Sequence, residues 1–463
     1  MLNMRSALAC LAVGLLAACS SLPTIVPDLQ RREAPAVQLE GLRGPLSPAE
    51  SKAVLERLAR GGKETDIFER HLALEESISG SPLTTGNGVR LLQDGPSTYQ
   101  AMFDAIQGAI DHINIETYIL DDDEVGQRFA QALIAKQTQG VQVNLLRDSV
   151  GTLGTPAAFF EKLAASGIQV HEFNPINPLA ARESWELNQR NHRKLLIVDG
   201  RTAFLGGINI SSVYSGGSFK SGSRGAPKSA SGVGPAWRDT DLQLQGPVVA
   251  DLQKLFIDDW TQQKGPPLAP RNYLPPPLSA GVEVVRAIGS SPDEAFSQIY
   301  ATLLSAIGSA ETSIRITNAY FVPDPQLLTA LEAAAQRGVD VTLILPSQSD
   351  SWLVFHAGRR YYERLLLAGV KIHERQGVIL HSKTALIDGV WATVGSTNLD
   401  WRSFLHNHEL NAVVLGAEFG RQVQAMFDKD LAASNAITLE AWQRRGLDLR
   451  IKELFARAWE YWL

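Results

Sequence analysis

The chain carries the same blocks twice in the same order, and this constrains its fold more than any other feature. AIQGAIDHINIETYIL (Ala105 to Leu120) returns as AIGSAETSIRITNAYFV (Ala306 to Val322), and GVQVNLL (Gly140 to Leu146) as GVDVTLIL (Gly338 to Leu345). GIQVHE (Gly167 to Glu172) returns as GVKIHE (Gly369 to Glu374), so each block recurs after about 200 residues. Such a chain builds two like halves. Helical stretches such as Val125 to Gln139 and Pro325 to Arg337 alternate with short runs rich in Val and Ile, which predicts an α/β fold with a mixed sheet flanked by helices in each half. Pseudo-twofold packing of the halves then places one active site at their interface.

Boundaries follow from composition. KGPPLAPRNYLPPPL (264–278) has six prolines and serves as a stiff linker between a first half at 86–263 and a second at 279–463. Residues 19–85 read as a Pro-rich tether (Pro23 to Pro48) followed by two helical patterns, Ala49 to Arg60 and Asp66 to Ser77. Residues 1–18 have a basic start and an apolar run from Ala7 to Ala18, too short for the roughly 20 residues a membrane span needs. The run closes on Leu16-Ala17-Ala18-Cys19 and resembles a bacterial lipoprotein signal cleaved before Cys19. The expected mature protein is then a lipoprotein held at a membrane and facing the periplasm or cell exterior, with Ser20 favouring the outer membrane. Cys10 would leave with the signal, and no other cysteine remains in the 463 residues. Ser215 to Pro235, rich in Gly and Ser and carrying Lys220, Arg224 and Lys228, reads as a surface loop.

The last repeated block carries the chemistry. His192-Arg193-Lys194-LLIV-Asp199-Gly200-RTAFL-Gly206-Gly207-Ile208-Asn209 is matched, at identical spacing, by His381-Ser382-Lys383-TALI-Asp388-Gly389-VWATV-Gly395-Ser396-Thr397-Asn398. A pattern H-x-K-x4-D-x6-G-[GS]-x-N arises by chance with a probability on the order of 10⁻⁸ per position. Asp-Gly between two apolar runs predicts a β-hairpin with a two-residue turn. Counting back across it pairs Val198 with Arg201, hence Lys194 with Leu205, His192 with Gly207 and His381 with Ser396. The small residues would leave room for a ligand, with Asn209 and Asn398 just beyond. Strand alternation sends His and Lys to one side and Asp199 and Asp388 to the other, which makes the aspartates turn formers although they belong to the catalytic signature.

Two His, two Lys and two Asn around one pocket suit a phosphodiester. Lysine and asparagine donate to its non-bridging oxygens, and two imidazoles with pKa near 6.5 can act as nucleophile and general acid. The pocket pattern has no carboxylate cluster, so no metal or other cofactor is expected, the lysines supplying the positive charge.

With these motifs the chain resembles the phospholipase D superfamily, and within it the bacterial cardiolipin synthases, over about residues 86 to 440. Further matches are GSTNLDWRSFLHNHE (Gly395 to Glu409) and WRDTDLQLQGPVV (Trp237 to Val249). The resemblance implies that one His attacks phosphorus, giving a phosphohistidine, while the other protonates the leaving alcohol. His192 is expected as nucleophile and His381 as acid. It also implies an acidic partner for each His: Glu409 in the second half and Asp239 in the first, with Asp241 the second candidate. The expected activity is phosphatidyl transfer making cardiolipin from phosphatidylglycerol and a second phospholipid. The alternatives are a phospholipase D-type hydrolase and a nuclease-type phosphodiesterase. A net charge of -6, with no long Lys/Arg run beside either motif, argues against nucleic acid. The expected partners are anionic phospholipids and a membrane surface, with a monomer as the active unit.

Leu447 to Leu463 forms an amphipathic pattern: Leu447, Ile451, Leu454, Phe455, Ala458, Trp459 and Trp462 fall on one face. Such stripes ordinarily belong to a core, so the helix is expected to dock on the second half. The alternative is a helix lying in the lipid interface, with Trp459, Tyr461 and Trp462 at headgroup depth.

Overall fold

The computed structural model describes residues 24–26, 37–60, 65–176, 186, 188–216 and 235–462. The signal segment, Cys19 and most of the Gly/Ser-rich loop lie outside them.

Two sheets of like order meet edge to edge. The strands are β1 (Leu39–Gly41), β2 (Gly44–Pro45), β3 (Leu83–Leu92), β4 (His112–Thr117), β5 (Gln142–Asp148), β6 (Gln169–Phe173), β7 (Arg190–Asn191), β8 (Leu195–Val198), β9 (Thr202–Gly206), β10 (Trp237–Arg238) and β11 (Asp241–Gln245). They continue with β12 (Glu283–Ser290), β13 (Ser313–Asn318), β14 (Asp340–Pro346), β15 (Lys371–Arg375), β16 (Ile379–Leu380), β17 (Lys383–Ile387), β18 (Trp391–Gly395), β19 (Asn407–Leu415) and β20 (Ser434–Ile437). The first half runs β6-β5-β4-β8-β9-β11-β3, parallel at β6-β5-β4 and antiparallel beyond. The second runs β15-β14-β13-β17-β18-β19-β12 with the same directions, and β20 added outside β15. Antiparallel pairing of β3 with β12 makes the sheet continuous. The expected duplication of mixed sheets is present.

Repeated sequence gives repeated local structure. Asp123 and Asp324 each cap the helix after the first repeated strand by accepting two backbone N–H groups, at Glu124–Thr138 and Pro325–Gln336. Helices Val248–Gln262 and Ala417–Ala432 cover one face of the joined sheet. Their residues Leu252, Phe256, Phe419 and Val423 share one core with Leu195 and Leu205 of the first half and Leu386 and Val394 of the second. The halves are therefore fused through apolar side chains.

Contacts that the sequence does not show fix the connecting segments, and one expectation, on the C-terminal helix, is corrected. The 264–278 segment straps the first half: Arg271 donates to the Gly140 carbonyl, Asn272 N–H to Asp111, and Tyr273 packs on His112. The N-terminal helical patterns become Pro48–Ala59 and, after a wide turn at Ile67–His71, Leu72–Ser79. They pack on the second half, where Leu58, Ile67, Phe68, Leu72 and Ile78 join the core of Tyr300, Ile307 and Trp391. Finally, the C-terminal helix Leu447–Arg457 turns its apolar stripe to solvent, while Glu453 and Ala456 face inward. Ala456 joins the core of the second half beside Val354 and Ala357, and Arg445, whose guanidinium lies on Trp442, binds the Glu453 carboxylate. Among the described residues no helix is long and apolar enough to cross a membrane.

Candidate active site

Each motif histidine enters the site on a short strand borrowed by the other half. β7 pairs in parallel with the start of β19, and the His192 N–H donates to the His408 carbonyl at 2.9 Å, which sets His192 beside Glu409. Reciprocally, β10 pairs in parallel with β16, and the His381 N–H donates to the Arg238 carbonyl at 2.7 Å, setting His381 beside Asp239. Buried ion pairs pin both crossings. Arg193 reaches Asp259 at 2.6 Å and the Glu409 carbonyl at 3.1 Å, and Arg238 reaches Asp430 at 2.7 Å.

The acid pairing is crossed between halves. His192 Nδ1 lies 3.0 and 3.1 Å from the two Glu409 oxygens, and His381 Nδ1 lies 2.7 Å from Asp239 Oδ2. A carboxylate at Nδ1 fixes the N–H there and turns Nε2 toward the pocket, where a neutral ring presents a lone pair and a protonated ring an N–H. Asp241, the second candidate, is turned away, accepting the Ile208 N–H at 3.1 Å. Ser396 Oγ donates to Glu409 Oε2 and holds that carboxylate from behind.

The lysines stand beside the histidines, as the two-residue spacing requires. Lys194 Nζ donates to the His192 carbonyl at 2.6 Å, and Lys383 Nζ to the His381 carbonyl. Lys383 Nζ also lies 2.9 Å from His381 Nδ1. Aromatic rings wall the pocket: Tyr118 against His192, and Trp237, Tyr214 and Tyr320 against His381. Sequence reasoning missed these. The available signal was a tyrosine ending the first repeated block in both copies, where strands of α/β sheets present their ligand sites.

Burial dominates the electrostatics. It pulls His192 down to about 4, against the upward pull of Glu409, so this imidazole is neutral at physiological pH. It lowers His381 also, with Lys383 adding to the effect. Burial brings Lys194 down to about 7 and Lys383 to about 8. Burial raises Glu409, but His192, Lys194 and the Ser396 hydroxyl outweigh it and hold the carboxylate below its ordinary range.

The turn aspartates and small residues do other work than the catalytic signature and the open-ligand reading assign them. Asp199, with φ +53°, accepts the N–H groups of Ile110, Asp111 and His112. Asp388, with φ +51°, accepts those of Glu311, Thr312 and Ser313 and the Thr65 hydroxyl. Both bind the far end of the hairpin to the preceding strand, on the side away from the histidines. The turns close as expected, the Arg201 N–H donating to the Val198 carbonyl and the Val390 N–H to that of Ile387. The residue after each turn is left out of the ladder, so Val198 pairs with Thr202 and Thr384 with Val394, one residue from the expected register. The glycines make room for carboxylates rather than for a ligand: a Cβ on Gly207 would lie 2.3 and 2.5 Å from the Asp239 oxygens. Asn209 is occupied by the fold, accepting from the Ile119 N–H and donating to Tyr214 Oη, whose oxygen lies 3.3 Å from His381 Nδ1. It thereby supports Tyr214. Asn398 is buried, and its amide oxygen has no partner among the described residues.

Residues 102–215 and 303–431 match the family model described as "Cardiolipin synthase, PLD-like domain". The chain is 35% identical to the cardiolipin synthase of Geobacillus thermodenitrificans (strain NG80-2) over 410 residues, 88% of this chain and 78% of that one. The chain belongs to the cardiolipin synthase family of phospholipase D-like proteins. Cardiolipin synthase 2 of Bacillus anthracis is 34% identical over 400 residues, covering 86% of this chain and 74% of that one. Among solved structures, phosphatidylserine synthase of Haemophilus influenzae Rd KW20 superposes with a TM-score of 0.60 at 13% identity, over 83% of this chain and 98% of that one. That likeness concerns the fold. Family membership makes the two motif copies parts of one phospholipase D-like site.

Proposed function

We propose that this chain is a phosphatidyltransferase that makes cardiolipin from phosphatidylglycerol and a second phospholipid. The observation that carries the reading is the crossed pair of histidines, each backed by a buried carboxylate and accompanied by a buried lysine. His192 Nε2, neutral and tied at Nδ1 to Glu409, attacks the donor's phosphorus. The bond from phosphorus to the headgroup oxygen breaks, and His381 gives that oxygen its proton, releasing free glycerol or ethanolamine. The acceptor phosphatidylglycerol hydroxyl then returns a proton to His381 and attacks phosphorus, freeing His192. Lys194 and Lys383 face the non-bridging oxygens and match their charge, with the Asn398 amide as a further donor. One chain supplies every group, so the active unit is a monomer.

Incubation of the purified protein with mixed phospholipids, followed by mass analysis, is expected to show cardiolipin and the free alcohol. Phosphatidic acid as the sole product would make it a hydrolase, and cleavage of DNA without lipid turnover a nuclease. Label trapped by rapid denaturation at alkaline pH should reside on a peptide containing His192; label at His381 would reverse the roles. The sequence around Leu16 to Cys19 supports lipidation of Cys19 and a periplasmic or external face. Cys19→Ser is expected to remove the lipid from the N-terminal peptide, and an intact Met1 in the mature protein would refute that part.

A further inference from the structure

Leu447, Ile451, Leu454, Phe455, Trp459 and Trp462 are between 49% and 75% exposed, all on the outward side of the last helix and the turn after it. A contiguous stripe of large apolar side chains on a folded surface is unusual and marks a contact face. Two observations say what the contact is. First, the stripe is joined to the active-site rim. The ring of Phe455 faces that of Trp352, itself 46% exposed, at 6.2 Å. Two residues before Trp352, Asp350 accepts the hydroxyl of Tyr320 at 2.7 Å, and the Tyr320 ring faces His381. The turn Glu460–Trp462 packs on the helix Trp401–Leu405, which lies between Asn398 and Glu409. On the first-half side, the backbone of Gly151 packs on Tyr118, and its neighbours Val150 and Leu153 are 37% and 71% exposed. Apolar residues thus flank the site on both halves. Second, charge is locally reversed. Residues 444–463 hold five basic side chains and three acidic ones in a chain of net charge -6, and two of the acids, Glu453 and Glu460, are buried and paired with Arg445 and Arg360. Arg450 and Arg457 remain exposed, as does Arg444, which pairs with Glu440 at 2.8 Å.

We propose that this face is where the protein seats on an anionic phospholipid bilayer. The stripe enters the headgroup boundary, with Trp459 and Trp462 at the depth such rings favour, and the arginines meet lipid phosphates. The site then opens toward the surface that holds its substrates. The proposal rests on the phospholipid reading of the site, and its test separates the two.

In the full-length chain carrying Cys10→Ser and Cys19→Ser, a fluorophore on Leu454→Cys is expected to be quenched several-fold by brominated acyl chains in phosphatidylglycerol-containing vesicles. The same label on Gln107→Cys, on an exposed part of the first half, should be unaffected. Equal quenching at both positions, or none at Leu454, overturns the assignment. Ile451→Asp with Leu454→Asp should lower turnover on vesicles about tenfold and leave turnover of detergent-dispersed substrate unchanged, with an unchanged melting curve. Equal loss on both substrates overturns it. So does a concentration-dependent dimer that the double variant abolishes while vesicle binding persists, since the face would then belong to a second copy. Quenching at Leu454 without cardiolipin formation supports the docking face and removes the synthase reading alone.

Discussion

The site keeps its lysines at the edge of charge, and this has two measurable consequences. Lys194 lies near 7 and Lys383 near 8 because burial penalises the ammonium, and the protonated forms are the ones that match a phosphate. His192, near 4, is already a free base through the neutral range. For the free enzyme, kcat/KM is therefore expected to fall below about pH 4, where His192 is protonated, and on the basic side first as the acid His381, held below the ordinary imidazole range, loses its proton and then as the lysines do above about 7 to 8. Bound phosphate favours the ammonium, so the basic limb of kcat should lie at higher pH; a flat kcat/KM up to pH 10 would contradict this. The stability effect has the opposite sense. A lysine whose folded pKa is lowered loses stability below that pKa and regains it as pH rises toward 10.5, because the unfolded chain holds the proton more tightly. Lys194→Met is thus expected to raise the thermal midpoint by a few degrees at pH 6, less at pH 9, while cutting turnover about 10²-fold or more. A variant that is both less stable at pH 6 and fully active would refute both halves of the argument.

At the scale of elements, the hairpin is a device that keeps catalysis and anchoring at opposite ends. Its aspartates bind the preceding strand, so Asp388→Ala should cost about 2 to 3 kcal/mol through orphaned backbone N–H groups. The surviving folded enzyme should keep near-normal kcat, which thermal melts and turnover per folded molecule would check. Gly207→Ala should do the reverse. Its Cβ cannot share space with the Asp239 carboxylate, so His381 loses its partner and kcat falls about 10²-fold with little change in KM. Equal activity would show that Asp239 does not orient His381. These elements also show what the sequence reveals. Alternation and the Asp-Gly turn reveal the hairpin and the shared side of His and Lys, because both are local properties. The one-residue slip in register was hidden, since the unpaired Arg201 and Val390 are ordinary residues. The direction of the last helix was hidden too: a stripe shows that two faces differ, and only tertiary partners, Arg445 for Glu453 and the second-half core for Ala456, decide which is inside.

For the whole molecule, the duplication, the mixed sheets and the convergence of two motifs were legible, because each repeats in the chain. Which carboxylate serves which histidine was not, since identical spacing in both copies is compatible with pairing within or across halves. The N-terminal helices were equally opaque, their apolar faces fitting either half. Their placement makes the fragments interdependent. Residues 1–263 alone would strand Leu58, Ile67, Phe68 and Leu72, and residues 264–463 alone would lack them over Tyr300 and Trp391. Each fragment is expected to be insoluble and inactive alone and to recover activity on co-expression; two soluble fragments that never associate would contradict the shared core. The crossed partnership also bears on the duplication. A half-length chain with one His and one acid could complete neither on its own, and would need a second copy of itself to lend a carboxylate. Carrying both copies in one chain makes that encounter intramolecular and frees the copies from identity. Gly207 stands where the other half has Ser396, and Asp239 where it has Glu409: in one half a bare backbone admits a shorter acid, in the other a hydroxyl steadies a longer one.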